Sequence, residues 1–81
     1  MLDVEFDCSK EDLKQVLQEI ANRVVCSVKD ISVKRYTNRH GNDYYYTSCP
    51  GVSSELHLKR LNDSMEGFYK RGVVSYFRLH W

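Results

Sequence analysis

The opening residues Leu2-Asp3-Val4-Glu5-Phe6-Asp7 alternate apolar and acidic side chains. A period of two is that of a strand with one buried face. Ser9-Lys10-Glu11-Asp12 follows and reads as a helix N-cap with acids in the first turn. Leu13, Val16, Leu17, Ile20, Ala21 and Val24 then recur at helical spacing. This is the strongest periodic signal in the chain, and it predicts an amphipathic helix of about four turns.

The segment from about Cys26 to Tyr36 is rich in β-branched residues, and Ile31 and Val33 alternate with Ser32 and Lys34. Asn38-Arg39-His40-Gly41-Asn42-Asp43 is a run of turn formers. Tyr44-Tyr45-Tyr46-Thr47-Ser48 again favours a strand, so the two segments predict a hairpin around Gly41-Asn42. Cys49-Pro50-Gly51 ends the second of them. Ser53-Ser54-Glu55 starts a second helix with an apolar face of Leu58, Leu61, Met65, Phe68 and Tyr69, closed by Gly72 after Lys70-Arg71. An alternative reading makes residues 52–60 a strand, because Leu56 and Leu58 alternate. Val73 to Trp81 is a last strand.

The order β-α-β-β-α-β predicts a single α+β domain over residues 1–81. With right-handed crossovers it takes the ferredoxin-like arrangement, a four-stranded antiparallel sheet with two helices on one face. The spatial order is then 4-1-3-2. Leu2, Val4, Phe6, Ile31, Val33, Ser75, Phe77, Leu79 and Trp81 are expected to face the helices. Asp3, Glu5, Asp7, Lys34, Tyr36, Tyr76, Arg78 and His80 are expected on the open face, joined by Tyr44 and Tyr46. A register slip of one residue would exchange those two for Tyr45.

Charge adds an asymmetry that the net value of +1 hides. Residues 1–30 carry four Lys/Arg against seven Asp/Glu, a net of −3, and residues 31–81 carry eight against four, a net of +4. The even balance points to no global nucleic-acid or membrane attraction. No apolar run approaches the roughly 20 residues of a membrane span. The start lacks the form of a signal peptide, and the three cysteines lack metal or redox spacing. The expectation is a complete small gene product of the reducing cytoplasm, with Cys8, Cys26 and Cys49 unbridged.

Chemistry-bearing patterns are sparse. The three histidines, His40, His57 and His80, have no ligand spacing, so neither a metal nor another cofactor is expected, and His57 is expected on a helix surface. Asp3, Glu5 and Asp7 line one strand face and read as half-exposed charges rather than an acid–base pair, with Arg78 as a cross-strand partner of Asp3 or Glu5. No glycine loop cradles a phosphate. Cys8 precedes a helix but has no base near it in sequence. No catalytic residue is assigned.

The open face is the candidate site. Tyrosine and arginine are favoured interface anchors, so Tyr36, Arg39, Tyr44, Tyr46, Tyr76 and Arg78 are the expected contacts with a protein partner. The function expected is a non-enzymatic binding protein or regulator, for example a stoichiometric inhibitor, with a homodimer as one form of contact. The alternative is RNA or single-stranded nucleic-acid binding by the hairpin, with Lys34, Arg35, Arg39 and His40 on phosphate and tyrosines on bases. The acids of the first strand would oppose it.

Overall fold

The computed structural model describes residues 2–41, 43–50 and 54–80. Strand β1 (Leu2–Cys8) leads into helix α1 (Lys10–Val24), and strands β2 (Ser32–Thr37) and β3 (Asp43–Cys49) form a hairpin. Helix α2 (Glu55–Lys70) and strand β4 (Val74–His80) complete the fold. The strands make one antiparallel sheet in the order β2-β3-β1-β4, as the ferredoxin-like topology requires.

The alternation of β1 translates directly into burial. Leu2, Val4 and Phe6 are fully buried, while Asp3, Glu5 and Asp7 are half-buried on the other face. Val16, Ile20, Ala21 and Val24 of α1 and Leu61, Met65 and Phe68 of α2 close over them. Tyr45 and Cys49 complete the layer from β3, and the Tyr45 ring lies 5.7 Å from that of Phe6. Thr47 is buried among them, and its hydroxyl donates to the Val4 carbonyl at 2.9 Å, which removes the penalty of a buried unpaired donor.

Both helix starts are capped as the serines predict. The Asp12 amide donates to Ser9 Oγ at 3.3 Å, and that of Leu56 to Ser54 Oγ at 3.2 Å. Residues 54–60 are therefore a capped helix start rather than a strand, and Leu56 is exposed there. A shared face outweighs the short Leu56–Leu58 alternation, because Leu58 through Phe68 meet the core only with helical spacing. Helix α2 closes as a Schellman motif: Gly72 takes φ +76°, and the amides of Gly72 and Val73 donate to the carbonyls of Tyr69 and Phe68. Tyr69, at the margin of the predicted apolar face, is exposed and meets Phe77 edge-on at 6.5 Å.

The end of α1 uses the same device with an unfavourable residue. Cys26 N–H donates to the Ala21 carbonyl at 3.0 Å, and Val25 occupies the left-handed position with φ 55°. A β-branched side chain is strained there, and Val25 is 75% exposed, so burial does not offset the strain. Val25→Gly is expected to stabilise the fold by about 1 kcal/mol, seen as a higher thermal midpoint in circular dichroism. An unchanged or lower midpoint would count against this geometry.

Several expectations are corrected. The segment after Cys26 is not continuous strand: Val28–Asp30 form a 3-10 turn before β2. Val33 is 38% exposed rather than inside, because β2 is an outer strand that the helices do not cover. Ser75 is exposed rather than inside, and its hydroxyl donates to Asp7 Oδ2 at 2.9 Å. The reason is a bulge: Asp7 pairs with Tyr76 but Cys8 pairs with Val74, which leaves Ser75 as the extra residue. The bulge turns Val74 into the core in its place. Phe77 and Leu79 face the helices but are only half-buried. The expectations for Trp81, for the Gly41-Asn42 turn at Asn42, and for residues 51–53 lie outside the described residues.

Candidate functional site

The uncovered face of the sheet is built around β1. Its registers place Tyr46 and Arg78 on either side of Glu5, and Ser48 and His80 on either side of Asp3. Lys34 stands beyond Tyr46, and Tyr36 faces Tyr44 at the hairpin end. Tyr44 and Tyr46 are thus on the open face and Tyr45 is in the core, because alternation allows only one parity once Tyr45 meets Phe6.

The carboxylates on this face hold the tyrosines in place. Tyr46 Oη donates to Asp3 Oδ2 at 2.9 Å, and Tyr76 Oη donates to Glu5 Oε2 at 3.0 Å. His80 stacks on Tyr46 with ring centroids 5.8 Å apart, and its Nε2 lies 3.6 Å from Glu5 Oε1. Tyr36 and Tyr44 stack at 5.5 Å. Bonds to charged acceptors are stronger than neutral ones, which holds the Tyr46 and Tyr76 rings against β1. The pKa of Tyr46 is raised above the ordinary phenol value first by its bond to Asp3, and that of Tyr76 first by burial and then by its bond to Glu5.

These shifts have a consequence at alkaline pH. Both phenols hold their protons longer in the folded state than in the unfolded chain, where they titrate near 10. Their stabilisation is therefore complete below about pH 10 and is lost as the pH climbs through the folded values. The urea midpoint is expected to fall above that pH, and the fall to be shallower in Tyr46→Phe with Tyr76→Phe. Equal slopes for the two proteins would contradict it.

The candidate contacts are gathered unequally. Tyr36, Tyr44, Tyr46, Tyr76 and Arg78 share the open face. Arg39 sits apart in the exposed β2–β3 turn, beside His40, whose amide donates to Asn38 Oδ1 at 2.9 Å. Arg78 is opposite Glu5 in register, but among the described residues it makes no ion pair; His80 takes the place next to Glu5. The basic set splits further. Lys34 is on the open face, whereas Arg35 lies opposite Tyr45 on the helix side and pairs with Asp43 at 3.6 Å. Lys34, Arg35, Arg39 and His40 thus do not form one track for a phosphate backbone. Among the described residues Asp3 Oδ1 is enclosed without a hydrogen-bond partner, as is Nδ1 of His57, which is half-buried rather than on the surface.

Elsewhere the polar clusters are satisfied internally. A groove of about 620 Å³ between α1 and α2 is lined by Glu19, Arg23, Ser64, Phe68 and Arg71. Glu19 accepts from Arg23 at 2.8 Å and from Ser64 at 3.0 Å, and the Arg23 bond holds its carboxyl below the usual range. Arg71 lies 5.1 Å from the centre of the Phe68 ring. The cysteines are free thiols. Cys8 and Cys49 lie at opposite ends of β1, against Val74 and Leu2. Burial raises Cys8 to about 11, with Asp12 and Asp7 adding to it, and Cys49 to about 12. A thiol so raised is a poor nucleophile at neutral pH.

The bonds from Tyr46 to Asp3 and Tyr76 to Glu5 were missed in the sequence. Their only trace there is the shared alternation of acids and tyrosines, and partners 43 and 71 residues apart require the sheet register. Among the described residues no group of three or more His, Cys, Asp or Glu side chains is placed to hold a metal ion, and no helix is long and apolar enough to cross a membrane. Comparison with protein-family models, with curated proteins and with solved structures returns no match.

Proposed function

We propose that this chain is a non-enzymatic binding protein of the cytoplasm, a regulator or stoichiometric inhibitor whose open sheet face contacts another protein. The observation that carries this reading is the set of tyrosine rings held against the β1 carboxylates by the Tyr46–Asp3 and Tyr76–Glu5 hydrogen bonds. Pre-ordered aromatic rings lose little conformational entropy on binding, which favours them as interface anchors. Their carboxylate neighbours suit a partner that offers Lys or Arg to the centre of the patch, with Arg78 and Lys34 at its margins.

The same centre argues against nucleic acid. Phosphates would meet Asp3, Glu5 and Asp7, and the hairpin cations are divided between two faces and a turn. The deciding measurement is light-scattering mass after size exclusion, with 260 and 280 nm absorbance, on protein purified without nuclease. Nucleic-acid-free protein, as a dimer or in a defined complex with another protein, supports the reading. Co-purifying nucleic acid that high salt removes overturns it in favour of the 34–46 hairpin.

A further inference from the structure

The sheet has two edges, and they differ. The β4 edge is bent by the bulge at Ser75, a common means of blunting an edge. The β2 edge is regular: Ser32 to Thr37 pair with Ser48 to Asp43 over six positions without a register shift. All six residues of β2 are exposed, whichever face they point to. No described element covers its outer side, so the backbone groups of alternate residues there have no strand partner. The strand contains no proline, and Val33, Tyr36 and Thr37 favour extended backbone.

The side chains decide what can pair with this edge. In an antiparallel pair, opposed residues share a face of the sheet. A second copy can therefore pair over five residues in two registers. One sets Lys34 against Lys34, and the other sets Arg35 against Arg35. Like charges directly opposite destabilise a strand pair. The edge thus disfavours its own copy and favours an extended segment that carries carboxylates. Lys34 on the open face and Arg35 on the helix side, with Arg39 at the end of the hairpin, give it cations on both sides.

We infer that β2 is a docking edge for an acidic, extended segment of another protein, which adds as a fifth strand. Main-chain hydrogen bonds would hold the segment, and its carboxylates would face Lys34 and Arg35. The edge shares Lys34 with the margin of the β1-centred face, but its outward backbone groups do not lie on that face, so exchange at those amides tests the edge by itself.

The test uses the whole chain and two synthetic peptides of eight residues, one repeating Thr-Glu-Glu-Thr and one repeating Thr-Lys-Lys-Thr, so that charges fall on both faces of an added strand. Binding is followed by NMR titration and by amide hydrogen exchange. The glutamate peptide is expected to slow exchange at outward amides between Ser32 and Thr37. Lys34→Glu with Arg35→Gln is expected to weaken it by about tenfold and to strengthen the lysine peptide. Glutamine at 35 avoids a new clash with Asp43, and Lys34→Gln, read in parallel, is expected to fall between the two. An unchanged melting curve shows that each variant is folded. Three results would overturn the inference: no slowing in β2, equal slowing by both peptides, or slowing that rises with protein concentration when no peptide is present. The last would make a second copy the occupant.

Discussion

Phe6→Ala is expected to lower the thermal midpoint by roughly 15–30 °C. Phe6 is fully buried on the central strand β1, with Tyr45 stacked at a tilt 5.7 Å away. Removing a buried aromatic side chain costs about 3–5 kcal/mol, the lost transfer free energy plus the cavity left behind. A domain of this size has about 4–12 kcal/mol in total, and each kcal/mol moves the midpoint by roughly 4–8 °C. Loss of near-ultraviolet circular dichroism on heating reads it directly, since Tyr45 reports on the same packing. Phe6→Leu keeps most of the volume and is expected to cost under about 2 kcal/mol. A shift below about 5 °C for the alanine variant would mean that β1 is not the strand around which the core packs.

The second large effect is on association. Tyr76→Ala with Arg78→Ala is expected to weaken binding to a protein partner, or self-association, by about 2 kcal/mol, near thirtyfold. The Tyr76 hydroxyl donates to Glu5, while Arg78 stands exposed opposite the same residue. The double variant removes an anchor ring and a marginal cation together. Tyr76→Phe is the control, because it keeps the ring and loses only the Glu5 bond, so it separates contact area from that bond. Sedimentation equilibrium measures the self-association arm, and titration calorimetry against the partner recovered by cross-linking measures the other. If neither constant moves while the variant remains folded, the open sheet face is not the contact surface. The β2 edge would then be the remaining candidate.

The two proposed surfaces differ in the charge they favour. The β1-centred face presents carboxylates and suits a basic partner. The β2 edge presents Lys34 and Arg35 and suits an acidic one. The sequence already separates −3 in residues 1–30 from +4 in residues 31–81. Folding then sets β1 at the centre of the sheet and β2 at its margin.

What the sequence determined by itself was local. Alternation placed Leu2, Val4 and Phe6 inward, helical spacing placed Val16, Ile20, Leu61 and Met65 against them, and serines capped both helices. The order of those elements, with the handedness of crossovers, was enough for the topology. Tertiary structure decided everything that depends on how distant strands align. The register of β1 against β3 and β4 brought Tyr46 to Asp3 and Tyr76 to Glu5. The bulge at Ser75 exchanged it for Val74 in the core, and the outer place of β2 left Val33 in solvent. The physical reason is that period and capping act between residues a few positions apart and leave a mark on the sequence. Register and cover arise from packing among segments dozens of residues apart, where no single segment carries the information.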